Sequence, residues 1–520
     1  MSLVLNIVVG LFALYVLKSL LAPKRASAPL PPGPSPKPII GNLQDLPPPG
    51  SKDWEHWASH KDLYGPISSV TVFGQTIVIL NEPEVALELL EKRSALHSSR
   101  PQLPIAELSG WDKTLGLLPY SNRFRAYRKA ASRELGSATV VENFNDIVDK
   151  EVHRFLFRVL ESPSKLVDHL RKEAGAIILR IGYGYTVEPH GRDPLIDLVD
   201  QSMDDFSRVV LPGAWLVNFI PFLKYLPTWF PGGKPNQTAQ EFKDRVIIMH
   251  DKTYEFVQRQ MAEGIHQPSY VSNLLEKGPV QPGSEEELVI KWSAGALYGG
   301  GADTTVSALS CFFIAMALYP DVQKKAQEEI DRVVGSTRLP NFHDRPSLPY
   351  IEAVMQEVFR WHPVTPLSVA HASSKDDIYK GYMIPKGAIL VPNVWSFTHD
   401  PTRYPNPSTF NPDRFLGPNP QQDPRLYAFG FGRRICPGQL LAEKNIYLTI
   451  ARAIAVLDVG KVVRDGKEVP IKVDFTPVTI SHPVAFEVDL KVRSSEHEGL
   501  VRDVERVWPW EGSHKEELRI

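Results

Sequence analysis

The chain has 520 residues, 43% apolar and 23% charged, which is ordinary globular chemistry and excludes wholesale disorder, a collagenous repeat and a polytopic membrane protein. Its 58 Lys and Arg stand against 60 Asp and Glu for a net charge of −2, so the electrostatic footprint that phosphate-backbone binding needs is missing and no nucleic acid partner is expected. Two cysteines, Cys311 and Cys436, form neither CxxC nor CxxCH, which excludes a disulfide scaffold, a zinc ribbon and covalently attached c-type haem.

Residues 3–22 are apolar apart from Asn6, Lys18 and Ser19, and about twenty residues at 1.5 Å each match the roughly 30 Å of a bilayer core. Positive charge (Lys18, Lys24, Arg25) comes after this run. That order favours an uncleaved anchor over residues 1–22, with the rest cytosolic, over a signal peptide cut near Ala26-Ser27-Ala28. On this reading the sequon at Asn236 stays unglycosylated. Residues 23–41 are a basic, Pro-rich hinge, stiff because short proline runs are pre-extended. Beyond it no linker composition appears, so one large domain is expected over residues 42–493. The fold class is mainly α, a single large helical domain with small β-sheets, with a charged tail over residues 494–520 that Trp508 and Trp510 would dock locally.

Within the domain, Ile67-Ser-Ser-Val-Thr-Val-Phe73 and Thr76-Ile-Val-Ile-Leu80 alternate around Gly74-Gln75 and predict an early hairpin. Most of the chain from this hairpin to about residue 362 reads as helix. The longest helix opens on Ser284-Glu285-Glu286-Glu287, a capping-box pattern, and stops at Tyr319-Pro320. Short strands return around residues 379–387 and the Asp465-Gly466 turn. Residues 211–231 are apolar and aromatic but broken by proline. They suit either a lipid interface or an internal loop over the core.

The most specific segment is Phe429-Gly430-Phe431-Gly432-Arg433-Arg434-Ile435-Cys436-Pro437-Gly438. Its glycines allow backbone to lie against a large planar ligand. Cys436, at the start of an amphipathic helix and near Arg433 and Arg434, sits where dipole and cations favour thiolate, which makes it a soft metal ligand. Cys311 has no such surroundings and reads as core. In the long helix, Gly299-Gly300-Gly301-Ala302-Asp303-Thr304-Thr305 places three glycines where each costs about 1 kcal/mol relative to alanine, so packing alone is a strained account.

The cysteine run resembles the haem-binding loop of the cytochrome P-450 haem-thiolate monooxygenases, matching Phe-x-x-Gly-x-Arg-x-Cys-x-Gly throughout, and Gly300 to Thr305 match the family's Gly-Gly-x-Asp-Thr-Thr. The resemblance implies haem b held by Cys436, with Phe429, Gly430 and Gly438 against it, and its propionates met by Arg128, His371 and Arg434. The family's usual Trp four positions before Arg128 is Phe124 here, which cannot donate a hydrogen bond. Thr304 and Asp303 are implied in oxygen binding and proton supply. Glu357, Arg360 and Arg414 are implied as a buried structural network. The implied substrate pocket includes the stretch from Leu103 to Trp111, the segment at 203–211, Ala296, Gly300, Val364 to Val369 and Pro477 to Ile480 with Val478 in it, mostly apolar and suited to a lipophilic molecule. No Gly-x-Gly-x-x-Gly succeeds a strand, so electrons from NADPH must arrive through a separate NADPH-cytochrome P-450 reductase, with cytochrome b5 as a further partner. The texture resembles fungal microsomal members near the O-methylsterigmatocystin oxidoreductase-like group, which implies O2-dependent oxidation of a lipophilic small molecule in secondary metabolism at the endoplasmic reticulum membrane. Sterol, lipid or xenobiotic oxidation stays open, as does a reductase-independent haem-thiolate isomerase. A haem sensor or electron carrier would not need the oxygen groove or the apolar access loop.

Overall fold

The computed structural model describes Gly10, Phe12 and residues 28–211, 213–229 and 233–518. The expected anchor at residues 1–22 lies outside the described residues apart from Gly10 and Phe12, as does the beginning of the hinge. The longer helices are α1 (Asp53–Tyr64), α2 (Asn122–Leu135), α3 (Asn145–Glu161), α4 (Leu166–Tyr183), α5 (Pro194–Val209), α6 (Lys234–Ala262), α7 (Glu285–Leu318), α8 (Pro320–Val333), α9 (Pro349–Trp361) and α10 (Gln439–Val456). Between Pro83 and Trp361 no strand occurs among the described residues, so the helical expectation holds over that span.

Strands β1 (Ile67–Val72), β2 (Gln75–Leu80), β3 (His371–Ala372) and β6 (Ile389–Pro392) form one sheet in the order β1-β2-β6-β3. The pairs β4 (Asp377–Tyr379) with β5 (Tyr382–Ile384), and β8 (Val463–Arg464) with β9 (Lys467–Glu468), stand alone, as do β7 (Leu457–Gly460) and β10 (Asp489–Val492). Three hairpins share one turn chemistry: Phe73-Gly74, Lys380-Gly381 and Asp465-Gly466 each place two residues at positive φ, the geometry whose twist matches paired strands. Gln75 therefore belongs to the strand and not to the turn.

Helix α7 crosses the interior, and from Thr305 to Ala317 every residue is buried. Among the described residues it is the one helix long and apolar enough to cross a membrane, and its burial identifies it as the core helix. Ser284 accepts from the Glu287 N–H at 3.2 Å, as the cap predicts, but the Glu287 carboxylate turns to the Gly283 N–H at 2.7 Å instead of to Ser284. Its first turn carries Glu285, Glu286 and Glu287, which complement the helix dipole, and Arg123 of α2 clamps Glu285 with two bonds of 2.6 and 2.7 Å.

Helix α9 supplies the buried ion network. Glu357 receives Arg360 through two bonds of 2.6 and 2.7 Å, Arg414 at 3.1 Å and the Asn411 N–H at 2.7 Å. Arg360 also donates to the carbonyls of Thr398 and Thr409, and Arg414 to those of Pro405 and Thr409. These bonds fasten the irregular segment before the cysteine loop onto a rigid helix.

The tail docks more deeply than a surface segment. Trp510 receives the guanidiniums of Arg154 and Arg158 over its ring at 4.8 and 5.8 Å, Arg259 of α6 donates to the Glu517 carbonyl at 2.7 Å, and Leu518 is buried. Asn236 is engaged too, donating its amide to the carbonyls of Leu223, Lys224 and Leu226.

Breaking a buried pair leaves uncompensated charge and costs about 3–5 kcal/mol. Glu357→Gln is therefore expected to lower the denaturation midpoint steeply and to reduce soluble yield, whereas Lys325→Gln, at the half-exposed pair with Asp413, shifts it by less than about 1 kcal/mol. Equal midpoints in the two variants, measured by thermal unfolding, would contradict the assignment.

Candidate active site

A cavity of about 350 Å³ lies between α7, α9, the cysteine loop and the start of α10. Cys436 forms one wall, and Gly300, Gly301, Thr304 and Thr305 line it from α7. Its lining is largely apolar, with Trp111, Met203, Phe206, Val364, Val369 and Ile480 among the contributors. Of the expected pocket residues, Trp111, Ala296, Gly300, Val364 and Val369 are there, and Leu103 and Val478 are not. Leu103 precedes the short helix Pro104–Leu108 and packs into the core beside the cavity. Val478 lines a separate, smaller crevice with Asp53, Trp54 and Leu211; Ile480, two residues along the same turn, takes the cavity wall.

The glycines of α7 divide by what surrounds them. A Cβ on Gly299 would lie 2.7 Å from the Met203 sulfur and one on Gly301 2.9 Å from Ile178 Cδ1, so a side chain at either position requires Met203 or Ile178 to move. Packing thus explains two of the three, contrary to the sequence expectation. Gly300 alone of the three has open space where its side chain would be, on the cavity side. Thr304 donates its hydroxyl to the Gly300 carbonyl at 2.6 Å, a bond back along an unbroken helix. Asp303 lines no part of the cavity: its carboxylate points to His482, Oδ1 to Nε2 2.9 Å.

In the cysteine loop, Gly430 and Gly432 have positive φ. Gly430 and Gly438 line the cavity with Phe429. Gly432 serves another purpose, since a Cβ there would approach the Leu90 carbonyl to 2.5 Å. The Cys436 N–H donates to the Phe429 carbonyl at 2.8 Å, which closes the loop. The Cys436 side chain is open to the cavity yet remote from bulk water. Burial pushes its thiol up, while the N–H groups of Gly438 and Gln439 and the charge of Arg128 pull it down. The cations differ from expectation: Arg433 donates to the Tyr120 hydroxyl at 2.8 Å and Arg434 turns to backbone carbonyls.

Arg128, Arg434 and His371 meet at one edge of the cavity, joined by Arg100, which no local sequence signal marks. Arg128 donates to the Ile435 carbonyl at 2.6 Å. Arg434 donates to those of Ser98 (2.7 Å), Leu115 (3.3 Å) and Leu118 (2.6 Å). Arg100 donates to those of Gly116 (2.8 Å), Val369 (2.6 Å) and Ala370 (2.9 Å). None of the three has a carboxylate partner among the described residues. Burial lowers the pKa of each, Arg434 to about 9, and mutual repulsion adds to the shift of Arg100 and Arg434. The His371 Nδ1–H donates to the His97 carbonyl at 2.8 Å, and burial together with the Arg100 charge holds its pKa well below the ordinary histidine value. Phe124 packs its ring 3.7 Å beneath the Arg434 guanidinium, so the residue in place of tryptophan orients that arginine by a cation–π contact. The edge fits a planar group carrying two carboxylates, and the sulfur on the wall fits its metal.

The chain matches the cytochrome P-450 family over residues 31–474. It is 59% identical over 494 residues, 94% of each chain, to cytochrome P-450 monooxygenase ppsD of Aspergillus oryzae. It is 43% identical over 508 residues, 97% of this chain and 95% of the other, to O-methylsterigmatocystin oxidoreductase of Aspergillus flavus. It is 45% identical over 502 residues, 96% and 92% respectively, to cytochrome P-450 monooxygenase claR of Ampulloclitocybe clavipes. The chain belongs to the cytochrome P-450 family and is a monooxygenase of that family, which implies haem held through a cysteine thiolate and the use of O2.

Two outcomes test this geometry. Gly300→Ala is expected to raise stability by up to about 1 kcal/mol through helix propensity, whereas Gly301→Ala lowers it by forcing Ile178 aside; the order of the melting midpoints checks both. Arg100→Gln, which removes the charge and keeps a donor, is expected to weaken haem retention about 10–100-fold, the worth of a charged hydrogen bond of roughly 1.5–3 kcal/mol. Transfer to apomyoglobin measures it, and unchanged retention would exclude Arg100 from the anion-binding edge.

Proposed function

We propose that this monooxygenase inserts one oxygen atom into a C–H bond or alkene of a lipophilic small molecule, in a fungal secondary-metabolite route, with electrons delivered from NADPH by a membrane-bound reductase and in some cycles by cytochrome b5. The balance is substrate, O2, NADPH and a proton giving hydroxylated product, water and NADP+. The observation that carries the reading is the cavity in which Cys436 faces Gly300 and Thr304 across an apolar volume edged by three guanidiniums without a carboxylate partner among the described residues. The relative named O-methylsterigmatocystin oxidoreductase favours secondary metabolism over sterol or xenobiotic oxidation. The presence of Asp303 beside Thr304 favours oxygen chemistry over an isomerase.

Haem, when bound, supplies O2 binding and activation, which the thiolate favours by donating electron density. Cys436 would ligate the iron, and Arg100, Arg128, Arg434 and His371 would hold the propionates. Thr304 presents a hydroxyl at the cavity wall that can hold a proton donor's place. Asp303, on the adjoining helix position, serves as the carboxylate through which protons pass inward from the solvent side. Trp111, Phe206, Val364, Val369 and Ile480 exclude water and orient an apolar substrate.

The same reading places the enzyme at the endoplasmic reticulum membrane through residues 1–22. Leu216, Phe222, Tyr225 and Trp229 are more than half exposed. That exposure favours a lipid interface over an internal loop for residues 211–229, since side chains of this size are otherwise an uncovered apolar patch. Substrate from the lipid would then approach beside the cavity.

The test is co-expression with a fungal reductase under 18O2, with extracts of the native host as substrate source. One labelled oxygen per product, dependent on NADPH and reductase, is expected. Product formed without O2 would instead favour the isomerase.

A further inference from the structure

The turn at residues 476–482 joins two parts of the site that are distant in sequence. It closes on itself: the Thr476 N–H donates to the His482 carbonyl at 2.8 Å, the His482 N–H to Thr476 Oγ1 at 2.9 Å, and the Ser481 hydroxyl to the Thr476 carbonyl at 2.9 Å. Helix α7 holds it twice from one face. Asp303 meets His482 at 2.9 Å, and Ser307, one helical turn on, donates its hydroxyl to the Ser481 carbonyl at 2.6 Å. Behind the turn, His362 pairs with the Ser481 hydroxyl at 2.9 Å and stacks on Phe475 with centroids 3.4 Å apart. Ile480 of this rigid turn lines the same cavity as Thr304.

Asp303 and Thr304 are successive residues of a helix, so their side chains leave the axis about 100° apart. The hydroxyl looks into the cavity and the carboxylate away from it, toward His482. Their exposure is small, 11% for the Asp303 side chain and 24% for that of His482. Farther out, Arg171 of α4 holds Asp200 of α5 at 2.8 Å, and both are partly exposed. Burial raises the Asp200 carboxyl and Arg171 opposes it, while Asp303 and His482 both act on it electrostatically. The Arg171–Asp200 pair is thus the more exposed of the two and lies within electrostatic reach of His482 and Asp303.

We propose that His482 is the positioning residue for Asp303: its imidazole holds the carboxylate in the orientation from which protons pass toward Thr304, and ties that orientation to the cavity wall through Ile480. A carboxylate without this partner would turn freely between solvent and helix, and proton arrival would lose its fixed geometry. The inference rests on the monooxygenase reading above.

The full-length haem-loaded protein, reconstituted with reductase and 7-ethoxycoumarin as lipophilic probe, tests it in four forms: His482→Leu, His482→Gln, Asp303→Asn and the double His482→Leu/Asp303→Asn. His482→Leu is expected to cut product per NADPH at least three-fold, with the lost electrons recovered as hydrogen peroxide from O2, while KM and haem content stay within two-fold. His482→Gln, whose amide nitrogen can donate in the same place, restores at least half of the coupling. The double variant is no worse than Asp303→Asn. Independently of turnover, the losses in melting midpoint from Asp303→Asn and His482→Leu are non-additive when combined in the double variant. Unchanged coupling in His482→Leu, an equal loss in His482→Gln, or additive effects in the double variant would overturn the proposal. If the unaltered enzyme yields no O2-derived product with any substrate, the monooxygenase reading fails by itself, and the melting cycle still reports whether the pair exists.

Discussion

Positive charge that the protein does not neutralise governs this structure. Arg100, Arg128 and Arg434 stand at one edge of an apolar cavity with backbone carbonyls as their only acceptors among the described residues. Carbonyl dipoles soften but do not cancel the buried charges of Arg100 and Arg434 and the partly buried one of Arg128, and removing a guanidinium from water without a counter-charge costs several kcal/mol. An anion in the cavity would offset that cost, and the sulfur of Cys436 on the adjoining wall makes a metal-bearing, dianionic plane the natural occupant. Folding and cofactor binding are then one equilibrium, because a ligand that binds only the folded chain adds its binding free energy to stability.

The contrast with α9 shows why this edge reads as a binding site. Glu357 sits between Arg360 and Arg414, and every strong donor there finds a carboxylate or carbonyl. That cluster is complete without a ligand and holds a loop in place. The cavity edge is built from the same residue type with the anions missing. The two clusters flank the cysteine loop, one fixing its approach and the other facing what it binds.

Some of this was legible in the chain. Two of the three hairpins were marked, one by alternation around Gly74 with its turn read one residue late and the other by Asp465-Gly466, and α7 by a serine cap and a Tyr-Pro stop, since these signals act over a few residues. The loop around Cys436 was legible because it concentrates small residues about a single sulfur. Arg100 and His482 were not, because each acquires meaning from a partner far along the chain, Val369 for the one and Asp303 for the other. The same limit explains the glycines of α7. Their number announced something unusual, but only the positions of Met203 and Ile178 separate the two glycines crowded by neighbouring side chains from the one with open space beside it. Val478 and Ile480 differ by two residues and line different spaces, a distinction a turn makes and composition does not.

The most direct measurement is the absorption spectrum of the haem-loaded, dithionite-reduced protein under carbon monoxide. The account predicts the strongly red-shifted band of thiolate ligation in the unaltered chain and its loss in Cys436→Ser, with haem still held by the arginine edge. A thiolate-type band that survives in Cys436→Ser, or its absence from the unaltered protein, would contradict the account.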